Sequence, residues 1–135
     1  MNNAFVFDTN ALISAHLLDK SASRKAYNKA IDNGVLIYSA ETFDEFANTF
    51  IRSKFEKYLP LEKRMSVIGE FQARGALIKT RIVISICRDP NDNKFLELAV
   101  SSNASCIITG DKDLLILDPF RGIPILNAAD FINNF

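Results

Sequence analysis

Along the chain, short continuous apolar runs alternate with longer stretches in which apolar residues recur every three or four positions. Residues 4–7, Ala-Phe-Val-Phe, form a run that ends at Asp8, as a buried strand would. Residues 10–18 read as a helix. Ser21 and Ser23 suit the N-cap of a helix over residues 24–33, with Gly34 as its stop. Residues 35–39 read as a second strand. Over residues 42–58 the apolar positions 43, 46, 47, 50, 51 and 55 make one helical stripe. Pro60 suits the start of a further helix ending near Arg74, with Gly75 as its stop. Residues 76–87 read as extended and close in the β-branched run 82–86. Asp89-Pro90 opens a helix over residues 91–102. Residues 104–109 and 123–126 read as strands, and residues 128–134 as a short closing helix.

Strands and helices in this alternating order predict an α/β protein with a mostly parallel sheet between two layers of helices, a three-layer α/β/α sandwich. The strand runs lack clean in–out alternation, as expected when both sheet faces are covered. Such sheets bind ligands at the carboxyl ends of their strands, which gives meaning to the acids found there.

A length of 135 residues favours a single domain, 1–135, with 48% apolar and 24% charged residues, the balance of a folded globular chain. No apolar run approaches the roughly 20 residues of a membrane helix. The N-terminus has no basic segment before its apolar run, so a secretory signal is not expected and the cytoplasm is the expected compartment. Cys87 and Cys106 have no CxxC or histidine companion and read as reduced core residues. Sixteen basic and sixteen acidic residues cancel, but unevenly: residues 1–50 carry net −2, 51–88 net +6 and 89–135 net −4. The basic middle reads either as a solvated helix pair or as a phosphate-tracking flank beside an acidic centre.

Asp8 follows the first strand, where it faces the ligand-binding edge or caps the next helix. Asp111 leaves the strand Cys106-Ile107-Ile108 through Gly110, which would permit a sharp turn or close approach of a ligand, and Asp113 lies two residues further on. Asp89 and Asp92 have the spacing of a helix N-cap and its N3 acid. Asp89 is best read as the cap, and Asp92 as a carboxylate aimed into the edge. Of Asp44 and Glu45, one flanks the buried stripe of its helix. Carboxylates gathered at one edge repel by about 4 kcal/mol per pair at roughly 4 Å and an effective dielectric near 20. Partial protonation or a divalent cation relieves this. Oxygen donors without His or Cys select Mg²⁺ or Mn²⁺ over zinc, and one or two such ions suit phosphate-ester hydrolysis.

Other motifs fail. Residues 89–93 imitate the start of a calcium loop, but Lys94 replaces the required glycine and Val100 the bidentate acid. There is no GxGxxG, phosphate loop or GxSxG, and the one histidine, His16, has no signature around it and reads as a surface or satisfied residue.

Four fragments, read together, resemble the PIN-domain family, in particular small prokaryotic toxin-like members. They are Phe-Val-Phe-Asp8-Thr-Asn, Asp44-Glu45-Phe, Arg-Asp-Pro-Asn-Asp92-Asn-Lys-Phe-Leu-Glu-Leu-Ala and Thr-Gly-Asp111-Lys-Asp113-Leu-Leu. The resemblance implies a three-layer fold and cleavage of single-stranded RNA with Mg²⁺ or Mn²⁺. It also implies neutralisation by a cognate antitoxin and, in many members, a homodimer. It makes Asp8, Glu45, Asp92 and Asp111 the catalytic acids. Asp8, Asp92 and Asp111 would hold metal, with Asp113 as a neighbour or substitute for Asp111. Thr9, Asn10 and Thr109 would give polar support, and Thr9 and Asn10, with Arg52, Lys54 and Lys57, would meet substrate. Lys63 and Arg64 are further candidates for backbone contact. Two other readings stand beside this one. A catalytically silent RNA- or antitoxin-binding module would share the letters. An aspartyl-phosphate phosphatase, which residues 6–10 distantly resemble, needs Asp at the position held by Asn10.

Overall fold

The computed structural model describes residues 3–135. Five strands, β1 (Asn3–Phe7), β2 (Gly34–Tyr38), β3 (Ala76–Leu77), β4 (Cys106–Ile108) and β5 (Ile125–Leu126), form one sheet in the order β3-β2-β1-β4-β5. Every neighbouring pair is parallel. Seven α-helices connect and cover them: α1 (Thr9–Leu17), α2 (Ala22–Asn33), α3 (Ala40–Phe50), α4 (Leu61–Arg74), α5 (Asn93–Ser102), α6 (Lys112–Leu115) and α7 (Ala128–Asn134).

The three layers can be read residue by residue along the strands. Phe5 and Phe7 of β1, Leu36 and Tyr38 of β2, and Cys106 and Ile108 of β4 enter one core, packed with α1, α2, α3 and α7. The intervening Val6, Ile37 and Ile107 enter the opposite core with Phe95, Leu96, Leu98 and Ala99 of α5. Both faces are therefore apolar, which explains the continuous apolar runs. Registry places Phe5 opposite Cys106 and Phe7 opposite Ile108, so β1 and β4 end level with one another.

Three local expectations need correction. The stripe over residues 42–58 is not one helix: α3 stops at Phe50, and a 3₁₀ turn (Ser53–Phe55) carries the stripe onward. Arg64, 1% exposed, reaches back from α4 and donates to the carbonyls of Phe50, Arg52 and Leu59 at 2.7–3.0 Å while pairing with Glu56 at 2.7 Å. Its guanidinium is consumed in closing that helix end and has no reach to a phosphate backbone. Likewise, the sheet bonding of β3 ends with the Ile78 amide, which donates to the Tyr38 carbonyl at 2.8 Å, and residues 79–87 form no strand. Their amides turn to α5: Arg81 N–H donates to Ser101, Ile84 to Glu97, and Ile86 and Cys87 to Asn93. These three acceptors stand four apart, on one face of the helix. Finally, Gly110 is outside the left-handed region, and a Cβ there would meet nothing within 4 Å, so no sharp turn demands glycine.

Gly34 is where glycine is required. It ends α2 and begins β2 without a loop, and an added Cβ would lie 2.1 Å from the Asn3 carbonyl oxygen. Both cysteines are free thiols, with burial raising Cys87 to about 11 and Cys106 to about 12. His16 is part-buried: its Nδ1 donates to the Leu12 carbonyl at 2.8 Å and its ring meets Tyr27 edge-on.

Candidate functional site

The strand order reverses between β1 and β4, the crevice where an open parallel sheet takes its ligands. Asp8 leaves β1 there, 6% exposed, and its amide still donates to Ile108 of β4 at 3.1 Å. One carboxylate oxygen caps α1 by accepting from the Ala11 amide at 2.8 Å, and the other accepts from the Thr109 hydroxyl. The Thr109 oxygen accepts in turn from the Asp111 amide at 2.9 Å, and Asp111 Oδ1 accepts from the Asp113 amide at 2.9 Å. Asp8 and Asp111 are thus helix caps at the ligand-binding edge, and a directed chain of hydrogen bonds ties the ends of β1 and β4 together.

Asp92 arrives on a third element, the 3₁₀ turn Pro90–Asp92 that leads into α5, with Asp89 capping that turn through the Asn91 amide. Asp92 lies close enough to Asp111, Asp89 and Asp8 for their charges to bear on its carboxyl group. Burial first, then the Asp111 hydrogen bond and the charges of Asp111, Asp89 and Asp8, raise Asp92 to about 7. Burial also pushes Asp8 upward, against its hydrogen bonds from Thr109 and Ala11, with Asp111 and Glu45 adding repulsion. These are the signs of carboxylates crowded into one place.

Glu45, from α3, completes the rim. The Thr9 hydroxyl donates to one of its oxygens, and the Lys94 ammonium sits 2.8 Å from the other. Lys94 also donates to the Asn91 carbonyl at 2.5 Å, and its side chain is 17% exposed. A lysine at the start of a helix has no pattern to set it apart from ordinary surface charge; the one local sign of Lys94 is its place two residues after Asp92. Asn10 is exposed on the first turn of α1 and borders a small cavity with Ser14, Ser23, Thr109 and Gly110. Arg52, Lys54 and Lys57 are exposed on and around the 3₁₀ turn after α3, where none makes a salt bridge among the described residues. Among the described residues, no three His, Cys, Asp or Glu side chains are arranged as they stand to hold a metal ion. The donor set is nonetheless all hard oxygen, and carboxylates whose charges oppose one another are relieved by a divalent cation.

The family model for the PIN domain matches residues 4–113. An uncharacterized protein of Methanocaldococcus jannaschii is 32% identical over 114 residues, covering 83% of this chain and 73% of that protein. Three crystal structures share the fold, each with a TM-score of 0.62. VapBC2 from Rickettsia felis, bound to a DNA fragment from their promoter, is 14% identical and covers 92% of this chain and 98% of its own. DNA-bound VapBC from Salmonella typhimurium is 18% identical, with coverage of 95% and 99%. PAE2754 from Pyrobaculum aerophilum is 14% identical, with coverage of 97% and 88%. The acids spaced along the sequence, the five-stranded parallel sheet and the match over residues 4–113 agree, and the chain belongs to the PIN-domain family.

Proposed function

We propose that this chain is a divalent-cation-dependent endoribonuclease that cleaves single-stranded RNA, acting in the cytoplasm as the toxin of a toxin–antitoxin pair. What supports the reading is that Asp8 and Asp111 leave β1 and β4 side by side, joined through Thr109, and that the charges of both bear on Asp92 at the start of α5. Membership of a nuclease family supports hydrolysis, and the likeness in fold to the VapBC structures supports an antitoxin partner. No described helix is long and apolar enough to cross a membrane.

Asp8, Asp92 and Asp111 would hold Mg²⁺ or Mn²⁺, as one or two ions, with Asp113 adjoining Asp111. When bound, such an ion supplies Lewis acidity toward water and the phosphodiester. The chain's own residues do the positioning. Thr109 and the Ala11 amide hold the Asp8 carboxylate in one orientation. Thr9 and Lys94 hold Glu45 at the rim, where Asn10 faces an incoming strand. The test is cleavage of unstructured RNA with Mn²⁺, with EDTA and with Asp8→Asn. Cleavage that requires Mn²⁺ and Asp8, leaving 5′-phosphate and 3′-hydroxyl ends, is expected; a D8N variant as active as the parent refutes the proposal.

One observation favours a second reading, a catalytically silent RNA- or antitoxin-binding module. Both oxygens of Glu45 are already engaged by Thr9 and Lys94. Mn²⁺ binding without turnover on varied RNAs would select that reading.

A further inference from the structure

Two cavities along α1 share the lining residues Asn10 and Ser14. One, of about 130 Å³, opens beside Thr109, the hydroxyl partner of Asp8, and Gly110, next to Asp111 in the chain. The other, of about 320 Å³, continues along α1 to Lys54, Phe55 and Tyr58. Meeting at these two residues, they mark a shallow channel along α1, from Thr109 beside the acids to the 3₁₀ turn after α3.

The far end of this channel is cationic and aromatic. Residues 52–58 carry Arg52, Lys54 and Lys57, all exposed, and a single acid, Glu56. Glu56 is taken by the buried Arg64 at 2.7 Å and accepts the Leu61 amide, so it does not offset the three cations outside. The Tyr58 ring is 53% exposed, and the Lys57 ammonium lies 5.1 Å from its centroid. Lys54 lies 5.1 Å from the Phe55 centroid in the same way. An aromatic face coupled to a cation matches the two parts of a nucleotide, base and phosphate.

We infer that this channel is the path of the single-stranded RNA: Tyr58 stacks on an unpaired base, Lys54 and Lys57 contact the phosphates, and Asn10 meets the strand where it enters the acidic site. The inference rests on the nuclease reading for its substrate class and adds to it a direction of approach and a stacking residue. A polyanion has no reason to enter the acid cluster by charge alone. A cationic strip at the other end of the same channel supplies the attraction and leaves the scissile bond to be delivered along α1.

The experiment is fluorescence anisotropy of a short labelled oligouridylate with the full chain in EDTA, so that nothing is cut. Tyr58→Ala should weaken binding by about tenfold without altering its salt dependence, and Tyr58→Trp should restore it. Lys54→Ala and Lys57→Ala should each lower the slope of log affinity against log salt by about 0.7. Lys25→Ala, exposed on α2 outside the channel, should change neither. Unchanged binding in the Tyr58 and Lys54 variants, with unfolding transitions like the parent's, overturns the inference and leaves this face to a protein partner. The two readings fail separately. RNA binding that depends on Tyr58 but is never followed by cleavage with Mn²⁺ keeps the channel and sinks the nuclease. Cleavage with an unchanged kcat/KM in Tyr58→Ala does the reverse.

Discussion

Thr109 is the hinge on which the site's geometry turns. Its hydroxyl has one proton, given to Asp8, and it accepts from the Asp111 amide, so one buried oxygen aligns the ends of two strands. Thr109→Val keeps the shape and removes both bonds. The expected cost is about 1–3 kcal/mol in urea unfolding, because a buried acceptor and a buried amide lose their partners. Thr109→Ser should recover most of it. A valine variant with the parent's midpoint would show that the chain of bonds holds nothing together. Glu45 invites a different experiment. A cation that recruits it must draw it away from Lys94, 2.8 Å away. Lys94→Met should therefore tighten Mn²⁺ binding by about fivefold, roughly 1 kcal/mol, and Glu45→Gln should weaken it. Calorimetric titration reads both, and equal affinity in Lys94→Met and the parent would place Glu45 outside the cation's shell.

Among the elements, what local pattern could show and what it could not divide cleanly. The buried runs of β1, β2 and β4 and the closing α7 follow from composition and period alone. The acids at strand ends can be read as caps or as site residues; Asp8 and Asp111 do cap α1 and α6, and a capping carboxylate keeps lone pairs for other partners, so the cap does not exclude the site role. The end of α3 was not legible. The apolar stripe runs on through Phe55, which still packs against the core, while the helix stops at Phe50, whose carbonyl is claimed by Arg64, fourteen residues away. Residues 82–86 look like a strand because β-branched residues favour one, yet the Ile84 and Ile86 amides donate to Glu97 and Asn93 of α5, a contact between distant segments. The single-turn α6 is too short to have a period. Arg64 gives the testable case. Arg64→Met leaves three carbonyls without their donor and should destabilise the protein by about 3 kcal/mol or more. Arg64→Lys should rescue little of this, since one ammonium cannot span the positions a guanidinium fork reaches. A methionine variant that melts with the parent would mean that α3 ends for some other reason.

At the scale of the whole molecule, the parallel sheet brings carboxylates from β1, β4 and the start of α5 to one end, and their mutual repulsion is stored in the folded state. Without a cation, Asp92 keeps its proton to about 7, whereas an unfolded aspartate releases it near 3.8. Between those values the folded chain binds more protons than the unfolded one, so stability falls as pH rises through that window and stays lower above it. Asp8 is shifted in the same direction and adds to the trend. Mn²⁺ works the opposite way, because it needs the ionised carboxylates and competes with their protons. The metal-induced rise in Tm should therefore be small at pH 5 and large at pH 8. At a hundredfold excess over Kd it should reach about 2.7 kcal/mol, or roughly 8 °C. Asp92→Asn removes the titrating carboxyl, so it should flatten the metal-free pH profile and shrink the gain from Mn²⁺. Thermal melts at the two pH values, with and without Mn²⁺, decide the matter. If the gain is the same at both and survives in the asparagine variant, Asp92 takes no part in holding the ion and the crowding at the β1–β4 crevice has another purpose.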